Sequence, residues 1–263
     1  MNDKPAALMI GLLGPLSADL NGVPVTPSAP KQRQVLALLA FNVGRVVTVP
    51  TLIEELWGDR PPRSYATTLQ TYIFQLRNAL AGARPDDPAA RLLLSTWHTG
   101  YLLGSGCQTD VEEFRRLTHG ARVAVEAGDH RVSSDQLGRA LELWRGPALV
   151  DVRMGRVLEL EAASLEETRL GVYERRVDAD LALGRHCEML GELTLAVARN
   201  SMNENLCAFL MIALYRSGYV GRALEVFHRL RAVLRKELGV EPCARMQHLL
   251  TAILSGDPAL QEP

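Results

Sequence analysis

The sequence predicts a mainly α-helical protein with two domains. We expect an N-terminal winged helix-turn-helix, with a small antiparallel β-sheet and a β-hairpin wing, followed by an all-α, tetratricopeptide-like helical-repeat domain. The first domain is predicted by the order of its patterns, which are short apolar segments broken by turn signals, three helical patterns and a closing hairpin. The second domain is predicted because one helical pattern follows another through the C-terminal half, with an internal repeat.

The composition argues against several classes of protein. The 263 residues are 47% hydrophobic and carry a formal net charge of -1, as expected of a globular protein with room for two cores. No apolar run approaches the roughly 20 residues of a membrane span, so we expect no membrane partner and a cytoplasmic location. The four cysteines form no CxxC pair, so we expect neither a metal nor another cofactor.

The first elements are predicted from turn and helix-start signals. Residues 8–25 are short apolar segments interrupted by turns, of which Asn21-Gly22 is a strong hairpin signal, so they predict a small antiparallel sheet. A first helix is predicted from Lys31 to about Phe41, and Pro30 suits its first turn.

A second helix is predicted to end at Trp57. Thr48 can cap its N-terminus, Pro50 is tolerated in its first turn, and Gly58 ends it. Residues 59–62 then form a stiff, proline-rich connection to the next helix.

The third helical pattern, from Arg63 to Ala81, is the candidate recognition helix. At about 100° per residue, its apolar residues gather on one side, and they are Ala66, Leu69, Tyr72, Ile73, Leu76 and Leu80. The other side is short, polar and almost uncharged, and it comprises Ser64, Thr67, Thr71, Phe74, Gln75 and Asn78. Hydroxyl and amide groups can read base edges in a DNA major groove, whereas an acidic face would be repelled by phosphate. Taken alone, the pattern also fits an ordinary half-buried helix with a solvated polar side.

Further residues are assigned to the candidate DNA interface. Thr68 and Arg77 flank the polar face, where phosphates would pass. Phe74 either contacts a thymine methyl group or packs between domains. Residues 91–103 predict a hairpin wing, whose His98 and Thr99 either touch phosphate or form an exposed turn without a role. The remaining backbone or wing assignments are Lys31, Arg33, Arg45, Arg63 and Tyr101.

These strings resemble a known family. The segment RVVTVPTLIEELWG, the polar helix and a closing TxxxGYxL hairpin resemble the DNA-binding domain of OmpR-type response regulators. PKQRQVLALL, LWGDRPPRS and TTLQTYIFQLRNAL together resemble the Streptomyces antibiotic regulatory protein (SARP) family more closely. Relatives often carry a basic residue near the wing tip, whereas this chain has Trp97-His98-Thr99 there, so the resemblance does not predict an arginine contact from the wing to the minor groove.

The second half is predicted to be nearly all helical. Gly104-Ser105-Gly106 is a flexible joint, so we expect a DNA-binding domain over 1–105 and a second domain over 110–263. LALGRHCEMLGEL and LYRSGYVGRALEVF align Gly184 with Gly218, an offset of 218 − 184 = 34 residues, which is the tetratricopeptide period. Leu190, Leu193, Leu224 and Phe227 are the expected core of this repeat. DVEEF, LWRGPAL, ALYRSG and ELGVEPCARMQHLLTAIL resemble the family's bacterial transcriptional activation domain.

The resemblance implies a pathway-specific transcriptional activator of a secondary-metabolite, or antibiotic, gene cluster. Its implied partners are double-stranded DNA, as tandem direct repeats near a promoter, and RNA polymerase holoenzyme, through the sigma factor and other subunits. A homodimer on DNA is expected. The chain contains no GxxxxGK[ST] loop, so we expect a small, stand-alone member without an ATPase.

Two other classes of function are open to the sequence. One is a non-catalytic adaptor or ligand sensor, in which the helical repeats do the binding and the DNA-binding domain is vestigial; the other is an enzyme. A basic surface on the first domain would favour the activator. An enzyme is disfavoured, because no nucleophile–base or metal constellation stands out and adjacent carboxylates such as Glu54-Glu55 are interpreted as solvated.

Overall fold

The computed structural model describes residues 7–83, 85, 87, 90, 92–104 and 106–261. They fold into two compact units, of which the first spans Met1–Thr118 and Arg139–Leu170 and the second spans His119–Gly138 and Gly171–Pro263. The predicted joint at Ser105 and part of the loop before the wing lie outside the described residues. The domain limits of 1–105 and 110–263 stay a prediction.

The N-terminal sheet contains four strands in the order β3-β2-β1-β7. The strands are β1 (Leu8–Gly11), β2 (Ser17–Leu20), β3 (Val23–Pro24) and β7 (Cys107–Thr109). Asn21 and Gly22 form the turn between β2 and β3 with φ of 53° and 90°, which confirms the predicted hairpin. The parallel pairing of β1 with β7, in which Leu8 faces Cys107, was not predicted, because nothing local in the sequence signals so distant a partner.

Three helices lie among the described residues up to position 83, and the first two begin or end with a local signal. They are α1 (Pro30–Phe41), α2 (Val49–Trp57) and α3 (Tyr65–Ala83). Pro30 opens α1. The Thr48 hydroxyl accepts a bond from the amide of Thr51 at 3.3 Å, and Gly58 ends α2 with φ of 58°. On the predicted apolar side of α3, Leu69, Ile73, Leu76 and Leu80 are buried as expected, whereas Tyr72 is half-buried and Ala66 is exposed.

The wing is a second, three-stranded sheet in the order β4-β6-β5. It is built from β4 (Val46–Thr48), β5 (Leu94–Trp97) and β6 (Gly100–Leu103). Gly100 permits the close approach of β4 and β6, because a Cβ atom at this position would lie 1.9 Å from the carbonyl oxygen of Val47. The predicted hairpin around His98-Thr99 is confirmed, and β4 extends it by a strand.

The remaining chain is helical up to a short 3-10 turn, Pro258–Leu260. Its helices are α4 (Asp110–Glu126), α5 (His130–Glu142), α6 (Arg156–Ala182), α7 (Leu190–Arg199), α8 (Glu204–Arg216), α9 (Val220–Glu237) and α10 (Ala244–Ser255). Gly184 and Gly218 occupy equivalent turns with φ of 73° and 81°. Leu193 and Phe227 are buried as expected, whereas Leu190 and Leu224 are half-buried.

A buried carboxylate joins the elements of the first unit. Glu55 of α2 is 2% exposed, so the solvated role expected for it was wrong, although its neighbour Glu54 is exposed. Its carboxylate accepts bonds from the amides of Gly155 and Leu158 at 2.6 and 3.0 Å. The side-chain amide of Gln34 donates to it at 2.7 Å. Glu55 therefore caps the N-terminus of α6, where the helix dipole favours a negative charge.

Two further carboxylates hold the loop between β1 and β2. Asp110 accepts bonds from the amides of Leu12 and Leu13 at 2.7 and 3.0 Å, and Arg145 donates to Asp110 at 3.2 Å. Asp151 accepts from the amide of Leu16 at 2.8 Å. The winged-helix elements and the residues from 139 to 170 thus share one hydrogen-bonded core within the first unit.

Candidate nucleic-acid interface

The outward face of α3 is continuous and uncharged. Positions 67, 71, 74 and 78 follow one another at intervals of four, three and four residues, so they lie along one side of the helix. All four side chains are exposed, as are Ser64 and Gln75. Residues 65–83 contain no Asp or Glu. This surface has the size and charge that a DNA major groove admits.

Two of the threonine hydroxyls on this helix are already used as donors. The hydroxyl of Thr71 donates to the carbonyl of Thr67 at 2.9 Å, and that of Thr68 donates to the carbonyl of Ser64 at 2.9 Å. With the hydroxyl hydrogen committed to the helix, only the oxygen lone pairs of these side chains are left for another molecule. Thr71 is exposed and Thr68 is half-buried. Thr71 therefore offers an acceptor to groups such as the amino groups of adenine and cytosine.

Two longer side chains connect α3 to its neighbours. The amide of Gln32 on α1 donates to the oxygen of Gln75 at 2.5 Å. Arg77 donates through Nε to the carbonyl of Leu94 at 2.9 Å and through Nη2 to the hydroxyl of Thr96 at 2.7 Å. Arg77 is half-buried and ties α3 to strand β5 of the wing. The predicted phosphate contact of Arg77 stays a prediction.

The tip of the wing exposes four consecutive residues, Thr96 to Thr99. Trp97 is 55% exposed, and His98 and Thr99 lie beside it. Tyr101 is only 8% exposed and pairs with Val47 across the sheet. This burial leaves Tyr101 little exposed surface for the DNA contact that the sequence predicts, and that contact stays a prediction.

The predicted basic residues fall into two groups. The ammonium of Lys31 donates to the carbonyl of Leu56, and burial lowers its pKa, as does the nearby Arg153. The guanidinium of Arg33 forms an ion pair with Asp151 and bonds to two backbone carbonyls. These two cations thus have protein partners, and their contacts with DNA stay predictions. Arg45 and Arg63 are exposed, as is Arg60.

The sequence assignment missed three residues at this surface. Gln70 is exposed on α3 next to the predicted face, Trp97 is exposed on the wing, and Gln32 reaches α3 from α1. The helical period of α3 places Gln70 about 40° from Phe74 on the wheel, at the edge of the predicted face, so this position was the signal that could have identified it. Gln32 could not be found this way, because the bond to Gln75 depends on how α1 packs against α3.

These features define a transcriptional regulator built from a winged helix and helical repeats. Residues 25–103 match the family described as "Transcriptional regulatory protein, C terminal", and residues 109–254 match the "Bacterial transcriptional activator domain". The chain belongs to the Streptomyces antibiotic regulatory protein family.

Individual relatives resemble the chain along nearly its whole length. It is 51% identical over 257 residues to the regulatory protein DnrI of Streptomyces peucetius, covering 96% of this chain and 94% of DnrI. It is 35% identical over 255 residues to the transcriptional regulator RedD of Streptomyces coelicolor, covering 97% of this chain and 72% of RedD. Among solved structures, EmbR of Mycobacterium tuberculosis, in complex with a low-affinity phosphopeptide, superposes with a TM-score of 0.89 at 31% identity, covering 97% of this chain and 68% of EmbR.

Two kinds of feature are absent from the described residues. Within those ranges no helix has the length and apolar character needed to cross a membrane. The same ranges contain no group of three or more His, Cys, Asp or Glu side chains arranged to hold a metal ion.

Proposed function

We propose that the protein is a sequence-specific, DNA-binding transcriptional activator that inserts α3 into the major groove. The observation that carries this proposal is the exposed face of α3, which is polar, free of carboxylates and aligned along one side of the helix. Ser64, Thr67, Thr71, Gln75 and Asn78 face base edges, while Thr68 lies at the edge of the groove. The wing tip, with His98 and Thr99, approaches the phosphate backbone. A cytoplasmic location, where the chromosome lies, follows from this proposal.

The cations available to phosphate set the affinity that one protomer can reach. Arg45, Arg60 and Arg63 are exposed in the first unit, but exposed Glu54 and Asp59 lie in the same stretch of sequence. This partial excess of positive charge gives modest electrostatic attraction. Two protomers on adjacent direct repeats would supply the missing affinity, because the second binds at a high effective concentration. A repeat spacing near one helical turn, about 10.5 base pairs, keeps both on the same face.

The helical repeats would supply the second binding surface of an activator. Activation by recruitment needs only that one chain bind the promoter and RNA polymerase together, so no catalytic residue is required. Membership of the family supports a pathway-specific role at an antibiotic gene cluster. The proposed partners are the sigma factor and other subunits of the polymerase holoenzyme, with a homodimer formed on DNA.

Selection of bound fragments from random duplex DNA tests the proposal. The purified chain should enrich a direct repeat, and the bound fraction should fall as salt rises, because each neutralised phosphate releases counterions. A variant carrying Thr71→Val and Asn78→Ala keeps the fold, because both residues are exposed, and should lose the enriched sequence. Enrichment of no sequence by the parent chain would refute DNA recognition and favour the adaptor role of the helical repeats.

A further inference from the structure

We infer that Phe74 is a specificity-determining residue that reads the 5-methyl group of thymine at a fixed position in each operator repeat. This inference rests on the proposed function and adds the chemistry of one base that the helix selects. Phe74 lies at the middle of α3 and is 62% exposed, although it is a large apolar side chain. It is flanked on the same face by Thr71 and Asn78.

The position of Phe74 favours a ligand outside the chain. The opposite side of α3 supplies the buried residues of this helix, so Phe74 points away from the core of its unit. Its neighbours on the exposed side are hydroxyl and amide side chains, so the ring is an isolated apolar group within a polar surface. A partner that binds this face must therefore present an apolar group to the ring and polar groups around it.

The major groove of DNA provides such a contact at only one base. Base edges there present hydrogen-bond donors and acceptors, except that thymine also presents a methyl group. Burying that methyl against a phenyl ring removes apolar surface from water on both sides. No other base offers an equivalent group, so the contact discriminates thymine from cytosine, adenine and guanine.

The bonding of Thr71 is consistent with the same base pair. Its hydroxyl hydrogen is donated to the carbonyl of Thr67, so Thr71 presents an acceptor one helical turn before Phe74. A T·A pair shows both the thymine methyl and the amino group of adenine in the major groove. One base pair, or two adjacent ones, can therefore satisfy Phe74 and Thr71 together.

The test replaces thymidine by deoxyuridine, one position at a time, in the operator selected by the full chain. Deoxyuridine lacks only the methyl group and pairs in the same way. With the parent chain, one position per repeat should weaken binding about fourfold, the factor expected for about 0.8 kcal/mol per buried methyl-sized group. With Phe74→Ala, the thymidine operator should bind more weakly, and the deoxyuridine penalty at that position should fall to within about 1.3-fold of unity.

Thr71→Val provides the matched control on the same face. It should weaken binding but keep the fourfold deoxyuridine penalty, because it leaves the ring in place. A penalty that is equal in the parent and Phe74→Ala proteins, or absent at every position of an enriched operator, would overturn this inference alone. A chain that enriches no operator would instead refute the proposed function. Circular dichroism of both variants checks that the helices are retained.

Discussion

Replacing Glu55 by alanine should strongly destabilise the first unit. The carboxylate is 2% exposed and accepts three bonds, from the amides of Gly155 and Leu158 and from the side chain of Gln34. Hydrogen bonds to a charged group contribute about 1.5–3 kcal/mol each. In the alanine variant the amides of Gly155 and Leu158 would lose this partner, whereas the side chain of Gln34 would keep its bond to the backbone carbonyl of residue 55 at 2.6 Å. The two backbone amide bonds together therefore give an expected loss of about 3–5 kcal/mol.

Urea denaturation followed by tryptophan fluorescence measures this loss selectively. All three tryptophans, Trp57, Trp97 and Trp144, lie in the first unit, so their emission reports on that unit. With a urea slope of about 2 kcal/mol per molar, the midpoint should fall by about 2 M. Glu55→Gln should lie between the parent and alanine, because it keeps one acceptor oxygen but turns an amide donor towards the donors around it.

Glu54→Ala is the control for this experiment. Glu54 is the preceding residue on the same helix and is exposed, so its replacement should change the free energy of unfolding by no more than about 0.5 kcal/mol. If Glu55→Ala shifts the midpoint no further than Glu54→Ala, the cap on α6 contributes nothing and the reasoning is refuted.

Three other predictions concern the wing, a surface ion pair and the operator. Gly100→Ala should destabilise the first unit by about 1–3 kcal/mol in the same urea assay, because its Cβ would overlap the carbonyl of Val47, whereas Gly82→Ala on α3 meets nothing within 4 Å and should be neutral or stabilising. Arg231→Gln should raise the pKa of Glu241, because the hydrogen bond from Arg231 holds that pKa below the ordinary 4.5; the pair therefore stabilises the fold above that pH and stabilises it less as the pH falls. A carbon-detected NMR titration of Glu241 that is unchanged in the variant would exclude the effect. Inserting half a helical turn between operator repeats should abolish cooperative binding in a gel-shift titration, and cooperativity that survives would exclude the same-face arrangement.

The sequence predicted the structural elements that are determined by residues close to them in the chain. Thr48, Gly58 and the Asn21-Gly22 turn act on neighbouring backbone, so they could be recognised in place. The same applies to the polar face of α3, since the helical period fixes which side chains share a side. The SARP family and its two-part fold were confirmed because their motifs are spread along the whole chain.

The sequence did not predict pairings between distant residues. Glu55 looks like half of an ordinary exposed carboxylate pair until residues from 155 to 158 are placed beside it. Lys31 and Arg33 look like cations for phosphate, yet their partners are a backbone carbonyl 25 residues away and an aspartate 118 residues away. Charge alone does not indicate which partner a side chain has, so the cationic part of the interface was the least predictable.

The pairing of β1 with β7 has a consequence for synthesis on the ribosome. Leu8 pairs with Cys107, so the first strand leaves the ribosome 107 − 8 = 99 residues before its parallel partner. At about 5–20 residues per second, that delay is on the order of 5–20 s. Throughout this time one edge of β1 lacks its neighbour, and such an edge can pair with other nascent chains. The N-terminal sheet is therefore completed only after Thr109 has been synthesised, and slow codons between the two strands would prolong the exposure of β1.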